Sequence, residues 1–391
     1  MSDDNNVSFK KQDIHDDNQQ EKLVPELRFP EFKDNWKLIR LKNLINNESS
    51  KLSINNLEDN YGNYPLYGAS GFIKNINFYK KEENYIAIVK DGSGVGNSFI
   101  YNGKSSVVGT MQYLNTINNN DLKFAYYLLQ TLNLEKYKIG SSIPHIYFKD
   151  YSKEKIYLPS INEQKEISNF LSLIDKKIEL LEKKYRNQIK FSKELRNKFL
   201  NKHCFFNDNW VEHDIKEYVV EYKEKVNFNN NLPILSSTLS GIYLQEDYFN
   251  KNVNSSDVSN YKIVPKNYFT YRSMSDTGKF KFNIQNIVEK GIISPAYPVF
   301  TTKNINDKYV YEFLNYSNSI KRQILKIKEG GTRYALGFSK FKKLKIEVPS
   351  FKTQCKITES MNLCYQREEN LKKEIKIMKK FKKGLLQKMF I

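Results

Sequence analysis

A glycine-rich segment is the first place in this sequence where chemistry is to be sought. The run GSGVG at residues 92–96 follows Tyr85–Val89, an alternating stretch with strand character. A phosphate-binding loop in this setting needs a helix behind it, whose N-terminal N–H groups hold the phosphate. The next segment, which opens with SFIY at residues 98–101, is predicted to be a strand. The glycine run is therefore predicted to be a turn and not a nucleotide site.

Other catalytic patterns are missing from the sequence. It contains no Asn-Pro-Pro-Tyr or Asp-Pro-Pro-Tyr motif of an amino-methyltransferase and no GxSxG, and the GKS at residues 103–105 has Ser98 where a P-loop has its first glycine. His145 and His213 are isolated and are interpreted as structural or surface residues. The three cysteines form no CxxC pair, which argues against a zinc site or a disulfide scaffold. No catalytic residue and no metal site is predicted.

Composition and charge indicate an ordinary globular protein with a polyanionic partner. The 391 residues are 39% hydrophobic, and the formal net charge is +19, spread over the whole chain beyond residue 29. No stretch has the roughly 18 consecutive apolar residues of a membrane helix, and residues 1–20 lack the apolar core of a signal peptide. We therefore expect a cytoplasmic protein that binds nucleic acid. Lysine used only for solubility is the alternative.

Loops rich in Gly, Ser, Asn and Lys, interleaved with aromatic residues, are the candidates for that binding. Such loops approach a duplex closely and donate to base edges and phosphates, although each of them is also readable as a simple turn. Residues 41–185 contain no Arg, so the first half lacks the commonest reader of guanine. The predicted DNA-contacting residues are Tyr67, Ser70, Lys90, Ser93, Asn97, Lys104 and Gln112 in the first half, and Ser236, Ser237, Thr238, Arg272, Ser273, Ser275, Lys279, Thr332, Arg333 and Tyr334 in the second.

The chain repeats itself. The sequence FKDNW at residues 32–36 returns as FNDNW at residues 206–210, and these two segments hold both tryptophans. A constant offset of 190 residues relates Gln164 to Gln354 and Phe191 to Phe381, among other pairs. This pattern predicts a duplication, in which a strand-rich mixed module and a long helix occur twice.

Each long helix carries a narrow apolar seam. Apolar residues recur at steps of three or four in both segments, interrupted in the second helix by Glu368 and Lys382. Packing of the two helices on each other as an antiparallel coiled coil is favoured over packing of each helix on its own module. The predicted seam residues are Ile167, Ile174, Ile178, Leu181, Ile189, Ile357, Met361, Leu371, Ile375, Met378 and Leu385.

With these features, residues 25–391 resemble the specificity (S) subunits of type I restriction–modification systems. The resemblance rests on PELRFPEF at residues 25–32 with Trp36, on LPSINEQ at residues 158–164, and on GIISPAY at residues 291–297 with GGTR at residues 330–333. In the second helix, KTQC at residues 352–355 departs from the usual Glu-Gln opening. Residues 1–24 match nothing in the family pattern.

The resemblance implies an α+β architecture of two tandem target recognition domains, separated by two long helices that pack as an antiparallel coiled coil. The expected division is a polar leader (1–24), recognition domain 1 (25–158), spacer helix 1 (159–203), recognition domain 2 (204–348) and spacer helix 2 (349–391). Each domain is expected to read one half of a bipartite DNA site, and the helices are expected to set the spacer between the halves.

The resemblance also implies the partners. They are double-stranded DNA, two methyltransferase (M) subunits and restriction (R) subunits, and no membrane. S-adenosylmethionine, ATP and Mg are expected on those partner subunits, with no cofactor on this chain, which is expected to be a non-catalytic subunit. Two alternatives stay open at this point: a coiled-coil scaffold without sequence-selective DNA binding, and a methyltransferase with an unrecognised motif.

Overall fold

The computed structural model describes residues 24–201, 206–226, 232–248, 258–326 and 333–391. By internal contacts the chain divides into two compact units. Unit 1 is Met1–Glu182 with Glu374–Ile391, and unit 2 is Lys183–Lys373. Each unit therefore combines one module with a part of both long helices. The predicted leader lies almost wholly outside the described residues.

Unit 1 is built around an antiparallel sheet in the order β2-β8-β5-β6 and a smaller sheet in the order β4-β3-β7. The strand predicted over residues 85–89 is present, but all five of its residues are buried, because both faces of the sheet are covered. The strands are β1 (Lys37–Arg40), β2 (Ile45–Ser49), β3 (Tyr64–Gly68), β4 (Gly71–Ile76), β5 (Tyr85–Val89), β6 (Ser98–Tyr101), β7 (Ser106–Val107), β8 (Met111–Thr116) and β9 (Lys155–Leu158), and the helices are α1 (Leu122–Thr131), α2 (Phe148–Tyr151) and the long α3 (Ile161–Asn201).

Unit 2 repeats this plan with shorter strands. Its four-stranded sheet has the order β11-β19-β15-β17, and the pairs β10-β21 and β1-β9 join the start of each module to its end in the same antiparallel way. The strands are β10 (Val211–Asp214), β11 (Val219–Glu221), β12 (Leu235–Thr238), β13 (Gly241–Leu244), β14 (Lys262–Pro265), β15 (Phe269–Thr270), β16 (Met274–Ser275), β17 (Asn283–Ile284), β18 (Lys290–Ile293), β19 (Val299–Thr302), β20 (Tyr334–Ala335) and β21 (Lys345–Val348), and the helices are α4 (Gln245–Tyr248), α5 (Asp307–Tyr316), α6 (Asn318–Leu325), α7 (Phe338–Phe341) and the long α8 (Phe351–Met389).

A buried glutamine ties each long helix to its module. Gln164, at the start of α3, accepts a hydrogen bond from the backbone N–H of Asp121 (3.0 Å) and donates to the carbonyl of Pro159 (3.0 Å). Gln354, related to it by the 190-residue offset, accepts from the N–H of Asn306 (2.9 Å) and donates to the carbonyl of Pro349 (2.9 Å). Asp121 and Asn306 are the N-caps of α1 and α5. The two glutamines related by the sequence repeat therefore make the same pair of hydrogen bonds in both modules.

The two long helices are antiparallel within each unit. In unit 1, Nζ of Lys379 in α8 lies 2.7 Å from Oε1 of Glu182 in α3, and Nζ of Lys382 lies 2.6 Å from Oδ1 of Asp175. Residues later in α8 thus face residues earlier in α3. The predicted α+β class, with a long helix after each module and antiparallel helix packing, is confirmed. Among the predicted seam residues, those that are buried are Ile167, Ile178, Leu181, Ile357, Met361, Leu371 and Leu385, and those that are half-buried are Ile174, Ile189, Ile375 and Met378.

The ends of the helices also pack on the modules, so both packing arrangements weighed from the sequence occur. Ile167 and Leu385 belong to the core of unit 1, and Ile357 and Met361 belong to the core of unit 2. Apolar periodicity did not indicate the polar layer between the helices in unit 2. There the buried Ser192 Oγ donates to Glu368 Oε1 (2.5 Å), which gives the polar interruption at Glu368 a partner.

Candidate nucleic-acid interface

The glycine-rich loop of unit 1 presents polar side chains at one end of the main sheet. Gly92, Gly94 and Gly96 have φ between 83° and 89°, a backbone conformation that glycine adopts at little cost. This chain reversal exposes Ser93 and Asn97 and leads directly into strand β6, as predicted, so no helix N-terminus stands behind the loop. The loop therefore offers donors to a groove and lacks the parts of a nucleotide site.

The loop is held in place by a neighbouring segment. The N–H of Gly92 donates to the carbonyl of Pro144 (2.9 Å), and His145 Nδ1 lies 2.7 Å from Asp91 Oδ1. Lys90 Nζ lies 3.2 Å from the other oxygen of the same carboxylate. His145, interpreted from the sequence as structural or surface, thus packs beside the loop. The contacts among Lys90, Asp91 and His145 hold the base of the loop in place.

A second candidate surface in unit 1 is aromatic. The Tyr67 ring stacks on the Tyr101 ring with centroids 3.9 Å apart and an interplanar angle of 7°. Burial raises the pKa of Tyr101 to about 12, so its hydroxyl is neutral at physiological pH. Ser70 is exposed at the tip of the turn that follows β3. Segment 106–111 links this surface to the loop, because Val108 N–H donates to the Tyr67 carbonyl and Lys90 N–H donates to the Thr110 carbonyl.

Two of the predicted residues in unit 1 lie apart from these surfaces. Lys104 is exposed, but it follows β6 and therefore lies at the opposite end of the β5–β6 hairpin from the glycine loop, about 15 Å along the strand. Gln112 is buried, and its Oε1 accepts from the Tyr151 hydroxyl (3.3 Å). Its prediction as a DNA contact is corrected, because a buried β8 side chain with an internal partner does not reach a ligand. The glycine and lysine pattern around it carried no information about burial.

Unit 2 brings most of its predicted residues together around one cleft. The cleft encloses about 700 Å³, and its walls carry hydroxyl groups and cationic side chains. Arg272 and Lys279 are exposed in it. The predicted residues that line the cleft are Ser236, Ser237, Thr238, Arg272, Ser275 and Lys279.

Ser237 supports the cleft from within. It is 3% exposed, its Oγ donates to the Thr270 carbonyl (3.3 Å), and it accepts from Asn283 Nδ2 (2.9 Å). Asn283 also donates to the Thr238 carbonyl (2.8 Å), so this amide fixes the strand that carries the hydroxyls. Ser237 as a DNA contact is therefore corrected to a buried framework residue. Its place on β12 as an inward-facing residue follows from the strand's alternation.

Sequence reasoning missed one cation in the cleft. Lys281 Nζ donates to the hydroxyls of Tyr311 (2.9 Å) and Tyr316 (3.3 Å), and it lies 4.6 Å and 4.9 Å from the centres of their rings. This arrangement holds a positive charge at a fixed point of the cleft wall. Lys281 and Tyr311 are 30 residues apart in the sequence, and no local pattern connects them.

Strand β16 lies at the rim of the cleft and pairs with β20 in an antiparallel two-stranded sheet. Ser275 pairs with Tyr334, and beyond this pair Arg333 Nε lies 2.8 Å from Asp276 Oδ1, with both side chains about two-thirds exposed. Ser273 Oγ donates to the Ala296 carbonyl (2.6 Å) and so braces the strand. The predicted contact Thr332, with the GG of residues 330–331, lies outside the described residues.

These surfaces carry cations, hydroxyls, amides and aromatic rings, which are the groups that bind phosphates and base edges. Within the described ranges, no group of three His, Cys, Asp or Glu side chains is arranged to hold a metal ion. The helices of that same part of the chain are all too short or too polar to cross a bilayer. The geometry offers binding groups, which is what recognition of nucleic acid requires.

Comparison with known proteins identifies the architecture. The sequence profile described as "Type I restriction modification DNA specificity domain" matches residues 33–190 and 207–377. The type I restriction enzyme MjaVIII specificity subunit of Methanocaldococcus jannaschii is 26% identical over 409 aligned residues, covering 92% of this chain and 92% of that protein.

Solved structures show the same fold. The type I restriction-modification S subunit from M. genitalium superposes with a TM-score of 0.62 at 18% identity, covering 94% of this chain and 99% of that one. A chain from a study of complex assembly and conformational transition of the type I restriction–modification system superposes with a TM-score of 0.50 at 11% identity, covering 90% and 97%. Because the family profile matches most of the chain in two segments, one for each repeat, the protein belongs to the type I restriction–modification DNA specificity family and is a non-catalytic specificity subunit.

Proposed function

We propose that the protein reads a two-part, gapped DNA site, with unit 1 binding one half and unit 2 the other. The observation that supports this most directly is that each repeat carries its own set of exposed donors. Unit 1 has the glycine loop and the Tyr67 surface, and unit 2 has the cleft with Arg272 and Lys279. The two sets differ in their residues, so the two half-sites are expected to differ in sequence. The predicted recognition domains, 25–158 and 204–348, are part of this proposal.

The cationic character of both sets predicts strongly salt-dependent binding. Side chains that neutralise phosphates release counterions, so affinity falls steeply as salt rises. Two half-sites bound by one chain also act together, because binding of the first raises the effective concentration of the second. A duplex that carries one half-site is therefore expected to bind far more weakly than the complete site.

Exposed apolar residues that repeat along the long helices support two equivalent binding surfaces, one for each of two copies of a partner. Exposed apolar residues recur at positions related by the 190-residue offset: Leu173 and Leu363 are each 65% exposed, and Phe191 and Phe381 are 54% and 48% exposed. Exposed apolar residues that repeat with the fold mark an interaction surface. These exposed residues are Ile161, Leu173 and Phe381 in unit 1, and Phe351, Leu363 and Phe191 in unit 2, and we infer that each set contributes to one binding surface.

We assign these surfaces to two methyltransferase (M) subunits, with restriction (R) subunits joining in the complete enzyme. We also assign S-adenosylmethionine, ATP and Mg to those subunits, as the resemblance to the family implies, with no cofactor on this chain. Since genomic DNA is the substrate of such a complex, the cytoplasm is the proposed location.

A methylation map tests the DNA-reading proposal. The full chain is co-expressed with its methyltransferase partner in a host without adenine methylation, the chain is omitted in a control, and modified bases are sequenced. A gapped two-part motif that appears only with the chain is expected. Absence of any new motif, with both proteins folded and associated, would contradict the proposal and favour a scaffold without sequence selectivity.

The partner assignment is tested by the mass of the complex. Leu173→Glu and Leu363→Glu are each expected to release one methyltransferase copy, and the double variant is expected to release both. Ile54→Glu, an equally charged change at a residue that is 47% exposed in the segment between β2 and β3, is the control. Full occupancy in the double variant would contradict the assignment.

The spacer assignment has its own test. Removing whole turns from α3 within residues 183–190, with a matching deletion in the α8 residues between Glu368 and Lys379, is expected to change the length of the gap and leave both half-sites intact. The contacts of Ser192 with Glu368 and of Glu182 with Lys379 identify the facing segments. An unchanged gap would contradict the role of the helices as a ruler.

A further inference from the structure

The end of the β16–β20 pair holds an arginine and an aspartate directly opposite each other. The register pairs Met274 with Ala335 and Ser275 with Tyr334, so the next positions outward are Asp276 and Arg333. Their side chains form an ion pair, with Arg333 Nε 2.8 Å from Asp276 Oδ1. Opposite side chains in an antiparallel pair are close neighbours, so the strand register itself sets this contact.

The backbone under the pair is fixed. Gly278 has φ of 74°, and a Cβ placed on it would lie 3.2 Å from Cζ of Tyr334, so the turn packs tightly against that ring. On the other side, the N–H of Leu336 donates to the carbonyl of Ser273 (2.8 Å). Asp276 and Arg333 therefore extend from a rigid base, although their own side chains are exposed.

An exposed ion pair of this kind adds little to stability. Its geometry has a different consequence. Because the Asp276 carboxylate approaches the Arg333 guanidinium at Nε, the terminal Nη1 and Nη2 groups are left available as two parallel donors. This is the fork that matches O6 and N7 of guanine in the major groove. Asp276 also lines the cleft that contains Arg272 and Lys279, so its partner Arg333 lies beside a cationic surface.

We propose that Asp276 positions Arg333 to read a guanine in the half-site bound by unit 2; this rests on the proposed function. Asp276 is a positioning residue, and Arg333 is the residue that contacts the base. Without the carboxylate, the long arginine side chain samples many rotamers, and less of its population matches the two acceptors. Guanine is selected because it is the base that presents two acceptors in the major groove.

The experiment combines methylation maps with duplex binding by the complete chain and its methyltransferase partner. The variants are Arg333→Ala, Asp276→Asn, Asp276→Glu and the double variant Asp276→Asn with Arg333→Ala. The binding probe is the mapped site with each guanine of one half replaced in turn by 7-deazaguanine, which lacks the N7 acceptor. Glu289→Gln is the matched control, because Glu289 forms an exposed ion pair with Lys266 in the same unit, outside the cleft.

Arg333→Ala is expected to relax one guanine position in one half-site and to leave the other half unchanged. At that position, 7-deazaguanine should weaken wild-type binding by about tenfold and Arg333→Ala binding by less than about twofold. Asp276→Asn should lose most of the sensitivity to 7-deazaguanine, Asp276→Glu should retain it, and the double variant should equal Arg333→Ala. Glu289→Gln should behave as wild type.

Each contrary result overturns the inference in a distinct way. A wild-type motif in Asp276→Asn, together with a relaxed motif in Arg333→Ala, would show that arginine reads without aspartate. A double variant that loses more than Arg333→Ala would show that Asp276 contacts DNA itself. An unchanged motif in Arg333→Ala would remove the guanine contact. No gapped motif with the wild-type chain would overturn the proposed function, and this inference with it.

Discussion

Both units join the module helix to the two long helices through one tyrosine, one carboxylate and one cation, but the tyrosine and the carboxylate have changed places. In unit 1 the tyrosine is on the module helix. Tyr127 of α1 donates to Asp175 of α3 (2.8 Å), and Lys382 of α8 lies 2.6 Å from the same carboxylate and 5.2 Å from the centre of the Tyr127 ring.

In unit 2 the carboxylate is on the module helix. Tyr365 of α8 donates to Glu312 of α5 (2.5 Å), and Arg196 of α3 donates to the same carboxylate through Nε (2.9 Å) and to the tyrosine oxygen through Nη2 (2.8 Å). Arg196 also stacks over Tyr316, with Cζ 3.8 Å from the ring centre. Asp175 and Tyr365 are related by the 190-residue offset, so the exchange affects equivalent positions.

The exchange makes each module specific for its own part of the long helices. Combining the module helix of one unit with the long helix of the other would place two tyrosines together, or two carboxylates. A mismatch of that kind, with like charges or unpaired polar groups, disfavours the wrong pairing. Both units contain a hydrogen bond between a tyrosine and a carboxylate, but the two residue types occupy opposite helices in the two units.

The ion pair of unit 2 is also more deeply buried than the ion pair of unit 1. The Glu312 and Arg196 side chains are 3% and 11% exposed, whereas those of Asp175 and Lys382 are 35% and 16% exposed. Burial raises the pKa of Glu312, and Arg196 and Tyr365 act in the opposite direction. Burial also raises the pKa of Tyr127, and its bond to Asp175 adds to the rise. In each unit we call the tyrosine, the carboxylate and the cation a triad. Loss of the cation therefore leaves an isolated buried charge in the triad of unit 2, where Glu312 is almost fully buried.

The largest expected effect is therefore an asymmetry between the two cations. Arg196→Met should destabilise unit 2 by about 3–5 kcal/mol, because it leaves Glu312 buried without its cation. Lys382→Met should destabilise unit 1 by about 1 kcal/mol or less, since water reaches Asp175. Hydrogen exchange of the full chain, followed separately in α5 and α1, measures both effects.

A second variant distinguishes charge loss from loss of packing. Adding Glu312→Gln to Arg196→Met removes the isolated charge, so the double variant should be more stable than Arg196→Met alone. Equal losses for Arg196→Met and Lys382→Met would show that burial does not separate the two triads, and the comparison between the units would fail on this point.

The exchange itself can be tested by installing the unit 2 arrangement in unit 1. Tyr127→Glu and Asp175→Tyr each create a mismatch, whereas the double variant restores a tyrosine and a carboxylate at the same two positions. The double variant is expected to be more stable than the sum of the single effects predicts, with a coupling of about 1 kcal/mol. Chemical denaturation of the four proteins gives this coupling, and a value of zero would mean that the two positions are not equivalent.

Periodicity and repetition were enough to predict the duplication, the strand at residues 85–89, both long helices and their antiparallel seam, because these features depend on local residue patterns. The triads were not predictable, since Glu312, Tyr365 and Arg196 come from three distant segments and no local pattern connects them. The candidate site shows the same limit. Residue type suggested Gln112 as a DNA contact, but only the tertiary fold shows that it is buried.

The smallest expected effect concerns the strand pairs that close the modules. In unit 2, Asp214 pairs with Lys345 across β10 and β21, with Lys345 Nζ at 2.6 Å and Lys216 Nζ at 2.7 Å from the carboxylate. In unit 1 the equivalent end of the pair β1-β9 places Arg40 opposite Lys155, two like charges. The strand pair of unit 2 therefore carries an ion pair that acid can weaken, and the strand pair of unit 1 carries no carboxylate at this position.

The direction of the pH effect follows from the pKa of Asp214. Hydrogen bonds from Lys216 and Lys345 lower this pKa from 3.8 to about 2. A carboxyl with a lowered pKa in the folded state stabilises the fold above pH 3.8 and loses that contribution as the pH falls toward 2. Asp214→Asn should thus be slightly less stable than wild type at pH 7, and the two should converge between pH 4 and pH 2. Urea midpoints measure this convergence. Arg40→Gln should show a constant difference from wild type over the same range, because this substitution removes no carboxyl group. An equal convergence in that variant would assign the acid effect to other carboxylates.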